Sequence, residues 1–173
     1  AAHPKLDVLI NNAGLHLGEI ARGFFVLVQA KWQHYYAVNV IGPLLLAEAL
    51  REPLKAAKGL IINKSSMASY QPQTAYGITK ASLNIFTHAM AAQFGADDIR
   101  CVAIAPGIMA TEAAERGVEA DNWDRIKAMQ SVKRQGTAQD IANLGFFLAS
   151  EEGSFINNQV ILCDGGNAMR GFR

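Results

Sequence analysis

The chain has 173 residues, of which 50% are hydrophobic and 18% charged, so it can form a single domain with a core of ordinary size. Its 16 basic and 15 acidic residues are well mixed and leave a net charge of +1, which argues against a nucleic-acid-binding face or an acidic tail. No apolar run approaches the ~20 residues of a membrane-spanning helix, and the first residues lack the apolar core of a signal peptide.

Cysteine and histidine usage indicates the cellular setting. Cys101 and Cys163 fall in predicted strands, which favours buried free thiols over a disulfide. The four histidines show no metal-ligand spacing. We therefore expect a cytoplasmic protein that has no metal, nucleic acid or membrane as partner.

The first predicted strand, residues 6–10, runs directly into Asn11-Asn12-Ala13-Gly14. These small, turn-forming residues let the backbone approach a ligand at the end of the strand, although the same residues are also typical of a simple turn. Residues 15–30 are predicted to be loop-like. Residues 24–28 within them are apolar, so we expect another part of the fold or a partner subunit to cover this block.

A helical pattern over residues 31–57 is interrupted at Asn39 and at Gly42-Pro43. Because proline removes a backbone hydrogen bond, we expect a bend that frees a carbonyl near Asn39. Asn39 is then either a polar residue at a kink without a further role, or it directs a polar group or a bound water toward a site.

The central pattern is an apolar strand over residues 59–65, a polar cluster that includes Ser66, and a helix over residues 75–94. Tyr76 and Lys80 stand four residues apart on that helix and therefore share a face. An ammonium beside a phenol would lower its pKa from about 10 by roughly 3 units, making it a proton donor and acceptor near neutral pH. Ser66 could hydrogen-bond the same reacting oxygen. The same Tyr–Lys spacing also occurs on surface helices that have no chemical role.

The rest of the chain continues the alternation of strands and helices. The predictions are a strand over 99–104 ending at Ala105-Pro106-Gly107, a mixed segment over 108–122, helices over 123–131 and from the capping box at Thr137 to Ala149, and a strand over 159–163 closed by Asp164-Gly165-Gly166. This order predicts βαβ units and a parallel sheet. Because ligands bind at the carboxyl ends of such strands, we expect Asn12, Ser66 and Pro106 to form one site.

Six short motifs occur in one order along the chain. They are Asn11-Asn12-Ala13-Gly14, Val38-Asn39 with Gly42, Ser65-Ser66, Tyr76-x-x-x-Lys80, Pro106-Gly107 with Thr111, and Asp164-Gly165-Gly166. Through them the chain resembles the short-chain dehydrogenase/reductase family from end to end. The resemblance implies one α/β domain over residues 1–173 with a Rossmann-like, doubly wound parallel sheet. It also implies NAD or NADP as cofactor, oxidation of a small secondary alcohol or reduction of a ketone, and a homo-oligomer, commonly a tetramer.

The resemblance also implies a role for each matching residue. Tyr76 would exchange a proton with the substrate oxygen, Lys80 would lower the pKa of Tyr76 and hold the nicotinamide ribose, Ser66 would orient the substrate carbonyl, and Asn39 would hold a water in a proton relay. The further cofactor contacts implied are Asn12, Ala13 and Gly14 on the ribose side and Pro106, Gly107, Ile108 and Thr111 at the nicotinamide.

The chain also departs from the family pattern. It begins at the family's fourth strand, without the Gly-rich loop that holds the cofactor pyrophosphate, so roughly 80 residues of βαβ units are absent from the sequence. The loop between Ser66 and Tyr76 is short, which leaves Ser65 or Ser69 as substitutes for Ser66. Two alternatives to a dehydrogenase are open: a cofactor-free or lyase-type relative that uses Ser66 and Tyr76 without hydride transfer, and an inactive fragment that serves as a binding or assembly domain.

Overall fold

The computed structural model describes residues 3–111, 114 and 120–168. Its strands are β1 (Val8–Asn11), β2 (Leu60–Lys64), β3 (Arg100–Pro106), β4 (Met109–Ala110), β5 (Gly136–Thr137) and β6 (Val160–Cys163). Its α-helices are α1 (Gln29–Tyr36), α2 (Gly42–Ala49), α3 (Arg51–Ala57), α4 (Ala75–Phe94), α5 (Ala120–Met129) and α6 (Ala138–Ala149). Most of the predicted segment 108–122 lies outside the described residues.

The main sheet has four parallel strands in the order β1-β2-β3-β6, and β4 pairs with β5 in a separate two-stranded sheet. The register aligns Asn11 with Asn63, and Lys64 with Ile104. All four strands therefore end at the same edge of the sheet. The predicted parallel α/β sheet is confirmed.

Hydrophobic clusters cover both faces of this sheet. On one face Ile61 and Cys101 pack with Leu54 of α3 and with Met90 and Phe94 of α4. On the other face the cluster joins strand and helix residues, namely Leu60, Ile62, Val102, Ile104 and Leu148 of α6. Neighbouring residues of β2 enter opposite clusters because side chains alternate along a strand. This two-sided cover is the doubly wound arrangement that the sequence predicts.

A chain of buried amides links the edge strand to α4. The side-chain N–H of Asn11 donates to Asn63 Oδ1 at 2.8 Å, and Asn63 Nδ2 donates to Thr87 Oγ1 at 2.9 Å. Because an unpaired buried amide is costly, these hydrogen bonds stabilise the positions of β1, β2 and α4 relative to one another. β1 lies at the edge of the four-stranded sheet, and Ile10 on it is 59% exposed.

The predicted bend near Asn39 is a π-helical turn, Ala37–Ile41, between α1 and α2. Pro43 stands in the first turn of α2 and has no N–H to donate to the carbonyl four residues earlier, which is that of Asn39. Wider turns of this kind often accompany functional sites. They rotate the side chains on either side relative to a regular helix.

The rest of the chain covers only part of the apolar block 24–28, and cover of the remainder by a partner subunit stays a prediction. Phe24 and Leu27 pack against the buried cluster of Ile20, Tyr35 and Ala75. Phe25, by contrast, is 93% exposed, and Val26 and Val28 are also exposed. The block forms a turn rather than a flat segment, so only side chains three residues apart face the core.

The remaining predicted strands, helices and helix caps that fall on described residues agree with the structure to within a few residues. Thr137 and Asp140 form the predicted capping box of α6, and α4 begins and ends where the pattern places it. Both cysteines are free thiols, Cys101 buried and Cys163 half-buried. Within the described part of the chain, no helix has the length and apolar character needed to cross a membrane, and no three metal-ligating side chains come together.

Candidate active site

A cleft of about 550 Å³ opens at the carboxyl ends of β1, β2 and β3. Nine of the predicted site residues line it, namely Asn12, Gly14, Ser66, Tyr76, Lys80, Pro106, Gly107, Ile108 and Thr111. Two predicted residues do not: Ala13 is exposed outside the cleft lining, and Asn39 is fully buried behind it. The strand ends therefore bring together residues that lie up to about a hundred positions apart in the sequence.

The position of Tyr76 is fixed by the start of α4. Thr74 caps this helix by accepting a hydrogen bond from the Gly77 N–H at 3.1 Å. A Cβ atom on Gly77 would lie 2.7 Å from the carbonyl oxygen of Ala68, so only glycine lets the helix approach the loop after Ser66 this closely. This contact holds Tyr76 and Ser66 in one arrangement.

Burial raises the pKa of the Tyr76 phenol above its ordinary value, because the phenolate loses hydration. The neighbouring Ser66 side chain has a smaller and opposite effect, since its hydroxyl group stabilises the phenolate and lowers this pKa. The prediction that Lys80 lowers the pKa of Tyr76 below its ordinary value is therefore wrong for the chain without bound ligands. The sequence spacing could not show how strongly the phenol is desolvated.

Lys80 lies behind Tyr76 rather than on its hydroxyl group. Its Nζ donates to the backbone oxygen of Lys64 at 2.7 Å and stands 5.7 Å from the centroid of the Tyr76 ring. Burial lowers the pKa of the Lys80 ammonium to about 8, and the like charge of Lys64 contributes to this lowering. Lys80 is thus a buried amine whose pKa lies well below that of an ordinary lysine.

Asn39 clamps the loop that follows β1. Its Oδ1 accepts the Leu15 N–H at 2.7 Å, and its Nδ2 donates to the Leu15 oxygen at 2.9 Å and to Thr79 Oγ1 at 3.1 Å. Thr79 in turn donates to the backbone oxygen of Tyr76 at 2.8 Å. The amide therefore joins the Asn12–Gly14 loop to the helix of Tyr76, a positioning contact that spacing alone did not reveal.

Gly14 lies close to the side chains of Asn39 and Lys80. A Cβ atom at this position would stand 3.2 Å from both Asn39 Oδ1 and Lys80 Nζ. The absence of a side chain keeps the backbone after β1 close to the Lys80 amine and keeps the cleft open above it.

Of the three serines after β2, Ser66 is the one whose side chain influences the pKa of the Tyr76 phenol. Ser65 Oγ donates to Asn84 Oδ1 at 2.5 Å, and Ser69 Oγ donates to the Ser66 backbone oxygen at 2.7 Å. Both hydroxyl groups are thus engaged within the fold. This geometry favours Ser66 over the two substitutes.

The third side of the cleft comes from the end of β3. The Gly107 N–H donates to the Cys163 oxygen at 3.0 Å, and a Cβ on Gly107 would lie 2.8 Å from Cα of Asp164. Asp164 is buried and accepts the N–H groups of Gly166 and Ala168 at 2.9 and 2.7 Å. The Asp164-Gly165-Gly166 motif therefore supports the cleft wall from outside.

The sequence predictions missed several side chains that line the cleft. They include His16, Leu17, Lys64, Met67 and Met109. Lys64 immediately precedes the predicted serines at the end of a strand, so its position was a signal for its presence in the cleft. His16 follows the loop after β1 by two residues and offered a similar, weaker signal.

With this geometry in view, comparison with known proteins identifies the family. A family model described as enoyl-(acyl carrier protein) reductase matches residues 1–168. A probable short-chain type dehydrogenase/reductase of Bradyrhizobium diazoefficiens is 34% identical over 166 residues, covering 93% of this chain and 59% of that protein. The chain belongs to the short-chain dehydrogenase/reductase family, a family of oxidoreductases.

Two further proteins show the same relationship. The 2-keto-3-deoxy-L-fuconate dehydrogenase of Xanthomonas campestris pv. campestris is 34% identical over 178 residues, covering 96% of this chain and 58% of that protein. A solved 7 alpha-hydroxysteroid dehydrogenase, complexed with NADH and 7-oxo glycochenodeoxycholic acid, superposes with a TM-score of 0.86 at 28% identity, covering 94% of this chain and 64% of that one. The chain thus spans about three fifths of the length of the curated relatives it matches.

Proposed function

We propose that this chain forms the catalytic part of an NAD(P)-dependent oxidoreductase that interconverts a secondary alcohol and a ketone. The observation that supports it best is that Ser66, Tyr76 and Lys80 line the same cleft, at the end of β2 and the start of α4. The structural neighbour that binds NADH together with an oxo compound has this fold.

The residues of the cleft fit a nicotinamide cofactor. Asn12 and Gly14 on one side, and Pro106, Gly107, Ile108 and Thr111 on the other, surround open space beside the Lys80 amine. The absence of a side chain at Gly14 leaves this amine accessible to ribose hydroxyl groups, for which it is a suitable donor. When bound there, the cofactor would supply or accept the hydride.

The protein's own part is to move a proton and to orient the substrate. Tyr76, with its pKa raised by burial, is protonated at neutral pH and would donate its proton to a ketone oxygen. Ser66 would hold the same oxygen by a hydrogen bond. Lys80 would hold its charge close to the Tyr76 ring and offset the charge of the phenolate left behind. The Asn39 carbonyl, to which Pro43 cannot donate, would bind the relay water that returns the proton toward Lys80.

Assembly as a homotetramer stays a prediction. Leu45 and Leu46 of α2 and Ile85 of α4 are large apolar side chains that are exposed. Such residues on neighbouring helices suit a contact between copies of the chain.

The cofactor is tested by thermal unfolding of the full-length protein with NADH or NADPH. We expect one of the two to stabilise the protein, by about 2.7 kcal/mol at ~100 times its dissociation constant. Stabilisation by neither would contradict the proposal and favour a lyase-type or purely binding role. A difference between the two would show which dinucleotide is preferred.

A second test concerns the choice among the serines. We expect Ser66→Ala to lower kcat/KM by roughly 10- to 100-fold, because a hydrogen bond to the reacting oxygen is removed. Ser69→Ala is the matched control, since Ser69 is three residues away and bonds only within the fold. An equal loss in both variants would mean that the loop, rather than the Ser66 hydroxyl, matters.

A further inference from the structure

The described side chains that line the cleft include basic groups and no acidic ones. Lys64, Lys80 and His16 are basic, and no aspartate or glutamate appears among the lining residues in the part of the chain that the structure describes. The rest of the lining is mainly apolar or carries hydroxyl and amide groups. A cleft of this kind favours a ligand with a negative charge.

Lys64 is the lysine of the cleft lining whose side chain is exposed. Lys80 is buried and donates to a backbone oxygen, whereas the side chain of Lys64 is exposed at the end of β2. No described carboxylate lies within ion-pair distance of it. As far as the described residues go, the Lys64 ammonium is open to contact with a ligand.

The backbone places Lys64 on the side of the chain where the reaction would take place. Residues alternate sides in an extended segment, and the chain is still extended at Ser66, with φ −163° and ψ 153°. Ser65 turns toward α4 and bonds Asn84, so Lys64 and Ser66 share the opposite side. The ammonium therefore starts two residues from the hydroxyl that influences the pKa of Tyr76.

His16 lies next to the same tyrosine. Its ring centroid is 6.4 Å from that of Tyr76, and the side chain is exposed within the cleft lining. An imidazole carries at least one N–H donor in either protonation state. It can therefore add a hydrogen bond to an acceptor that Lys64 attracts.

The repulsion between Lys64 and Lys80 also favours an anionic ligand in the cleft. The charge of Lys64 disfavours the charged form of Lys80. A bound anion near Lys64 would offset this repulsion in a cleft partly shielded from water. Because Leu17, Met67 and Met109 also line the cleft, the anionic group is expected on a small organic chain.

We propose that Lys64, assisted by His16, makes this site selective for substrates that carry a carboxylate near the reacting carbon. The proposal rests on the proposed function, because it names the substrate class of the same cleft. A cofactor phosphate is the other anion that Lys64 could contact, and the test separates the two sources.

The test measures binding to the full-length protein by calorimetry, with succinate and its neutral analogue succinamide as probes. We expect succinate to bind at least tenfold more tightly than succinamide. Lys64→Met should weaken succinate binding about tenfold, and Lys64→Glu more, while the affinities for succinamide and for NADH stay unchanged. Lys5→Met is the control, because it removes the same charge just before β1, at the opposite end of the strands.

Three results would overturn the proposal. They are equal affinity of the wild-type protein for both probes, a loss of succinate affinity in Lys64→Met no larger than in Lys5→Met, and a loss of NADH affinity with succinate binding intact. The last result would assign Lys64 to a cofactor phosphate. These measurements report binding and need no turnover. Their outcome is therefore independent of whether Tyr76 is the proton donor.

Discussion

Replacing Tyr76 with phenylalanine is expected to lower turnover by roughly a thousandfold, within the range of 10²–10⁴ for loss of a general acid or base. The ring would keep its packing against the cluster of Ile20, Tyr35 and Ala75, so the start of α4 should not move. Only the hydroxyl group that neighbours Ser66 would be lost. The measurement is kcat for ketone reduction, together with the dissociation constant of NADH, which should change by less than threefold.

Tyr36→Phe provides the matched control. The Tyr36 hydroxyl is hydrogen-bonded to Ser82 of α4 at 2.9 Å. Tyr36 lies outside the cleft lining. We expect this variant to keep its turnover and to lose about 1 kcal/mol of stability. If Tyr76→Phe turned over at a rate similar to that of Tyr36→Phe, Tyr76 would not be the proton donor.

Much of this arrangement could be predicted because local signals and the fold agree. Thr74 caps α4 and Gly95 follows its last residue, so the bounds of that helix follow from the sequence. Pro43 cannot donate to the carbonyl of Asn39, which predicts the irregular turn before α2. The motifs after three strands could be placed in one site because parallel strands end at one edge of the sheet.

What the sequence did not predict depends on contacts between distant residues. The direction of the Tyr76 pKa shift depends on how much protein covers the phenol, and the spacing of Tyr76 and Lys80 indicates only that they are neighbours. The clamp of Asn39 on Leu15 joins residues 24 positions apart. Phe25 is a further example, since an apolar sequence does not reveal which of its side chains face the core of the chain.

Replacing Lys80 with methionine is expected to make the protein more stable and less active. Lys80 is only 3% exposed, and burial lowers its pKa to about 8 from the ordinary value of 10.5. Because a pKa difference of one corresponds to ~1.36 kcal/mol, holding the charge of Lys80 in the fold costs up to about 3 kcal/mol of folding free energy at pH 7. Loss of the hydrogen bond to Lys64 offsets about 1 kcal/mol of the gain, which leaves a net stabilisation of about 2 kcal/mol. Turnover should fall at least 100-fold, because the amine beside Tyr76 is removed.

The pH dependence separates this explanation from a simple packing effect. Because the pKa of Lys80 is lower in the folded state, the unfolded state binds more protons between pH 8 and 10.5, and the stability of the wild type rises with pH in that window. Urea unfolding should therefore show an advantage of Lys80→Met of about 2 kcal/mol at pH 7 that disappears by about pH 9.5. Lys5→Met, at an exposed position, should follow the wild type throughout. An advantage that stayed constant with pH would indicate improved packing and would contradict a buried charge at Lys80.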